Sequence, residues 1–127
     1  MKPIESIIAA YLADYAALKA IHGGHCQQGL ANQKWIAPYQ SLFLISDPPD
    51  MKRLGRPRPR LQIDSFSLKY GETRLMGELT YEALDGFSGV LDGVTIEMGA
   101  YQDTQIIYES DTKLWKAQTD VMVLYRT

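Results

Sequence analysis

Three side chains able to bind a metal or attack a substrate, His22, His25 and Cys26, lie close together near the start of this 127-residue chain. Imidazole and thiolate are ordinary zinc ligands, but a closed structural site takes four, and no fourth is evident nearby. The intervening Gly23-Gly24 reads as a turn rather than a rigid ligand frame. Nucleophilic catalysis by Ser or Cys needs a base within reach, and these two histidines are the only ones in the chain. Cys26 therefore reads as a packing residue. Glu109 and Asp111 offer the two carboxylates a glycosidase uses, yet they flank Ser110 in a polar turn, where solvated acids are commonplace. Gly86, Gly89 and Gly93 fit neither G-x-x-x-x-G-K-[ST] nor G-x-G-x-x-G, and read as turn formers rather than a phosphate cradle. Trp35 and Trp115 lack the interleaved basic residues of a nucleic-acid groove, and at least one is expected in the core. The expectation is no catalytic residue, no cofactor-binding residue and no metal ligand.

Charge is more informative. Lys52, Arg53, Arg56, Arg58 and Arg60 crowd into one Pro-rich stretch. Between residues 82 and 120 the acids are Glu82, Asp85, Asp92, Glu97, Asp103, Glu109, Asp111 and Asp120, against only Lys113 and Lys116. A basic loop on an acidic body is self-complementary between copies: repeated head to tail about an axis, the contact closes into a ring when the rotation permits. These five cations are the expected subunit or tube interface.

The elements that must position them follow from periodicity. Ile4, Ile7, Ile8, Tyr11, Leu12, Tyr15 and Leu18 recur at helical spacing across residues 3–21. Pro3 suits a helix start, Asp14 is placed to cap a fresh turn and split the segment in two, and Gly23-Gly24 stops it. Leu42-Phe43-Leu44-Ile45 reads as a central strand buried on both faces. Prolines then hold residues 47–59 as a long loop. A strand over residues 60–68 changes phase near Asp64-Ser65, which calls for a bulge or two buried faces. A second main helix spans residues 72–84, with Leu75, Met76, Leu79 and Ala83 at helical spacing and Gly86 as its stop. Val94, Ile96, Met98 and Ala100 alternate in a strand that turns at Gln102-Asp103-Thr104 into residues 105–108, and a last strand covers residues 114–125. The expected fold is α+β, a mainly antiparallel sheet of four to five strands with two main helices packed on one face, in a single domain over residues 1–127.

Composition sets the outer bounds. A hydrophobic fraction of 46% with 22% charged residues belongs to a folded protein. A formal net charge of −2 gives no general reason to bind nucleic acid. The lone Cys26 cannot form an internal disulfide, so nothing demands an oxidising compartment. No run approaches the roughly 18 apolar residues that span a bilayer, so no membrane partner is expected.

Several stretches in order carry a resemblance: Ala37-Pro38-Tyr39 before the first strand, Arg60-Leu61-Gln62-Ile63-Asp64, Leu84-Asp85-Gly86-Phe87, Tyr108-Glu109-Ser110-Asp111-Thr112, and the closing Asp120-Val121-Met122-Val123-Leu124-Tyr125-Arg126. Together they resemble the tail completion, or tail terminator, proteins of long-tailed bacteriophages along nearly the whole chain. The resemblance implies a small structural virion protein that is not an enzyme and carries no cofactor. It implies self-assembly into a homo-oligomeric ring, usually a hexamer; contacts that form only on the tube tip would let the free protein stay monomeric before assembly. It implies a tail tube protein and a head completion or connector protein as partners. The place would be the virion's head–tail junction, after host cytoplasmic synthesis. DNA would be channel cargo only, since dense positive charge would hold phosphates that must slide. Another head–tail connector or minor tail component of similar small fold is the alternative. The basic loop's role is an inference from charge, because the resemblance supplies no site to carry over.

Overall fold

The structure, a computed structural model, describes residues 2–29, 35–49, 53–55 and 57–126, the side chains of 102–105 excepted. Ile4, Ile7, Ile8 and Leu12 form the buried stripe of α1 (Ile4–Asp14). The chain breaks at Tyr15, whose extended backbone (φ −66°, ψ 117°) separates α1 from α2 (Ala16–His22). The expected split is present one residue later than Asp14, which makes no cap and instead pairs with Lys19 at 3.4 Å. Gly23 then ends α2 in the left-handed conformation, φ 63°, which a side chain would resist.

The strands are β1 (Cys26–Gln28), β2 (Tyr39–Ser46), β3 (Arg60–Ser67), β4 (Ser88–Leu91), β5 (Val94–Glu109) and β6 (Leu114–Arg126), with α3 (Tyr70–Leu84) between β3 and β4. They form one six-stranded sheet in the order β1-β2-β3-β6-β5-β4. The expectation of four to five strands needs correcting, and the sheet is mixed: β1 runs parallel to β2, the other neighbours antiparallel. The two strands missed are short edges. At three and four residues, neither β1 nor β4 carries enough alternation to register as a period. For β4 the signal was Asp92-Gly93, both at positive φ (49° and 76°), the two-residue turn that matches the twist of a hairpin.

Three further expectations change. No turn lies at Gln102-Asp103-Thr104: β5 runs through as a strand, and the polar residues coincide with a register shift between Gln102 and Ile106. A bulge tolerates polar residues as a turn does, so composition alone does not separate the two. β2 is not a central strand buried on both faces, because it lies next to the edge and leaves Leu44 and Ile45 exposed. The phase change in β3 involves no bulge. Leu61, Ile63, Ser65 and Ser67 all point to the helices, and Asp64 is also buried from the opposite face.

The helices α1, α2 and α3 pack on one face of the sheet. Their apolar side chains share a core with Leu42, Leu61, Ile63, Ile96, Met98, Val121 and Val123, each of which contributes about 1.5–3 kcal/mol by leaving water. In α3 the buried stripe is Thr73, Met76, Gly77, Thr80, Ala83 and Leu84, while Leu75 faces out. Neither tryptophan joins this core. Both are half-buried, Trp35 stacked on His25 at 4.7 Å and Trp115 edge-on to Tyr70 and Tyr108.

At the centre of this apolar interface sits a fully buried polar side chain, Gln40. Its amide nitrogen donates to Ser65 Oγ at 2.9 Å and to Thr80 Oγ1 at 2.7 Å, and its carbonyl lies 3.0 Å from His22 Nε2. Thr80 passes its own proton to the Met76 carbonyl at 2.7 Å. The Gly24 amide donates to His22 Nδ1 at 3.1 Å, which places the imidazole proton on Nε2, where it donates to Gln40. One glutamine thereby joins α2, β2, β3 and α3. Gln40→Leu should cost about 2–4 kcal/mol in denaturant unfolding, because it leaves several buried groups without partners. Burial holds the His22 imidazole below its ordinary titration range, outweighing the Gln40 hydrogen bond that opposes the shift. The unfolded chain therefore takes up a proton more readily than the native one. Stability should be full above pH 6.5 and decline below it as the native imidazole is forced to ionise, a loss that His22→Gln should reduce in unfolding curves across pH.

Candidate functional site

Of the five predicted interface cations, Lys52 and Arg56 lie outside the described residues. Arg53 is exposed, as are Arg58 and Arg60. The end of the loop is tied to the last strand: the Val123 amide donates to the Pro59 carbonyl at 2.9 Å, and Arg58 donates to Met122 Sδ at 3.3 Å. Arg60 meets Asp120 of the same chain at 3.8 Å. Part of the charge complementarity expected between copies is thus satisfied within one, though an exposed pair of this kind contributes only about 0–1 kcal/mol.

Arg58 also joins a cation that sequence reasoning passed over. With Pro57, Glu97, Leu124 and Tyr125, Arg58 and Arg126 line an open groove of about 360 Å³ at the end of the sheet where β5 begins and β6 stops. Among the described residues neither Arg126 nor Arg58 makes an ion pair, and Arg58 donates to the thioether. The alternation of Val121, Val123 and Tyr125 puts Arg126 on the opposite face of β6, a fact legible in the sequence. Its nearness to the loop depends on β6 pairing with β3, which is not.

The sheet face turned away from α1, α2 and α3, free of helices among the described residues, carries a second feature. Gln62 stands opposite Asp120, and Asp64 opposite Gln118. Gln62 donates to both Asp64 carboxylate oxygens, at 3.0 and 3.3 Å, and Gln118 to Asp120 at 3.4 Å. Lys116 pairs with Glu109 at 3.5 Å, and Tyr39 packs on Phe66 with ring centroids 5.1 Å apart. Glu109 is therefore a strand residue with a cation partner, while Asp111 stands exposed in the following turn, so the two do not converge on a shared substrate position. The early histidine segment is likewise engaged inside the protein. Both His22 nitrogens have protein partners, His25 stacks on Trp35, and burial pushes the Cys26 thiol up to about 12, far from a reactive thiolate. Among the described residues, no three His, Cys, Asp or Glu side chains form a group that could hold a metal ion, and no helix is long and apolar enough to cross a membrane.

Asp64 is only 6% exposed, and burial raises its carboxyl above the ordinary range, against the lowering effects of Gln62 and Lys116. An acid whose folded pKa is raised costs stability once it ionises: the cost is absent well below pH 3.8 and complete above the folded pKa. Asp64→Asn should therefore unfold at higher denaturant than wild type at pH 7, with the advantage vanishing toward pH 3.

No protein-family model matches the chain, and neither does any curated protein. Among solved structures, a chain described as "Virion of native gene transfer agent (GTA) particle" superposes with a TM-score of 0.70 at 14% sequence identity, covering 98% of this chain and 95% of that one. At that identity the likeness is one of fold, and it extends across nearly all of both chains.

Proposed function

We propose that this protein is a structural component of a phage-like virion, assembling as a ring that ends the tail tube and presents a docking surface to the head connector. The observation that carries this reading is the near-complete two-way coverage of the fold likeness to a chain of the gene transfer agent particle. Partial coverage would leave room for a shared module inside proteins of different purpose. The tail-terminator assignment within that role rests on the ordered sequence resemblance from Ala37-Pro38-Tyr39 to the closing strand.

The physical features suit such a part. A sheet with α1, α2 and α3 on one side, cross-braced through Gln40, is a stiff body able to hold a fixed angle to its neighbours. The helix-free face and the Arg58/Arg126 groove are left available for partners, and the work asked of them is mechanical rather than catalytic. Surface-charge contacts of this kind weaken as salt screens them.

The test is mass determination of the purified protein across concentration, at low and high salt, with and without purified tail tubes. Rings of six subunits, alone or on tube tips, that loosen with salt are the expected result. A protein that stays monomeric and ignores tubes under every condition would overturn the proposal.

A further inference from the structure

Given the ring reading above, we infer that the Arg58/Arg126 groove is the socket for the outer face of α3 from a second copy of this chain. The groove combines two cations that have no carboxylate partner among the described residues with an apolar lining from Pro57, Leu124 and Tyr125. Leu124 is 41% exposed, so the apolar part is open to water in the isolated chain. An occupant must therefore bring carboxylates and aliphatic side chains together.

The outer face of α3 has that composition. Leu75, Glu78 and Glu82 fall at i, i+3 and i+7, one stripe opposite the buried Thr73, Met76, Thr80 and Ala83, while Leu79 at its edge packs against the core. Leu75 is 45% exposed and Glu82 is exposed with no ion pair among the described residues, whereas Glu78 is already matched by Arg74 at 3.2 Å. Asp85, just past the helix, adds another carboxylate, which accepts from the Ala100 amide at 3.1 Å. Counting Arg74 against Glu78, Glu82 and Asp85, the stripe is net acidic.

Every copy carries both halves, and they occupy different parts of the surface: the stripe on the helix side, the groove at the end of the sheet. Contact between them is heterologous and generates a ring or a filament rather than a closed two-fold dimer. Glu97 in the groove wall limits how many carboxylates it accepts, so Glu82 is the one assigned to the two arginines. The desolvated centre of the contact would be Leu75 against Leu124 and Tyr125, with the ion pairs at its rim.

Charge exchange tests this directly. Arg126→Glu and Glu82→Arg are both exposed changes, so unaltered circular dichroism is expected of each. Either variant alone should self-associate at least ten-fold more weakly than wild type by sedimentation velocity. Mixed one to one, they should recover assembly, because reversed groove meets reversed stripe while the remaining wild-type pair is intact. Single variants that assemble like wild type, or mixtures that stay dispersed, would overturn the socket. A disulfide formed between copies carrying Leu124→Cys and copies carrying Leu75→Cys gives a second measurement, to which the buried Cys26 should contribute little; its failure under conditions where wild type assembles would count equally against the contact. Tube capture distinguishes this from the proposed function. Variants that fail to associate with each other yet cap tubes as wild type does would sink the socket and leave the capping role standing. Assembly that follows the charge exchange without any tube capture would do the reverse.

Discussion

A buried glutamine governs how this molecule is put together. Gln40 lies in the plane between sheet and helices, where an amide without partners would cost several kcal/mol, and it is tolerated because Ser65, Thr80 and His22 complete its bonding. Each partner belongs to a different element, so only one mutual placement of α2, β2, β3 and α3 satisfies all of them. Apolar packing alone permits sliding of a helix over a sheet at small cost. The polar network removes that freedom. It also fixes the tautomer of His22, which turns a residue otherwise eligible for metal or acid–base chemistry into a neutral strut.

With the helices held on one side, the sheet's other face and its ends are what remain for partners. The helix-free face is not a plain polar surface: amides and carboxylates alternate across β3 and β6, and Asp64 is kept desolvated at a stability cost. At the end of the sheet, where β6 stops beside the loop that leads into β3, cations from two distant parts of the sequence meet over an apolar floor. The fold thus turns a scattered charge pattern into one localised basic groove, and leaves an acidic aliphatic stripe on α3 far from it in the chain.

Much of this frame was legible in the sequence because long elements carry long periods. The stripe from Ile4 to Leu18, the run from Leu75 to Ala83 and the alternation from Val94 to Ala100 each repeat often enough to specify element type. The stops at Gly23 and Gly86 were legible from local backbone chemistry, whereas the split of the first helix was expected from a cap at Asp14 that does not form, and falls at Tyr15. The three- and four-residue edge strands were not, since pairing rather than period makes them strands. The register shift in β5 reads like a turn because both accommodate polar residues. The site was half legible. Arg58 and Arg60 stood out by clustering, but Arg60's partner Asp120 and the arrival of Arg126 beside Arg58 depend on β6 lying against β3 and β5. Gln40 gave no signal at all. A glutamine between a tyrosine and a serine announces nothing until the histidine, serine and threonine that complete it are folded around it.

Electron cryomicroscopy of tails assembled with this protein, at a resolution that traces its six strands, shows where the chain sits. One closed ring of it at a single end of the tube, with successive copies related by rotation, is the expected result. Density for the chain distributed along the whole tube, or confined to the head, would contradict it.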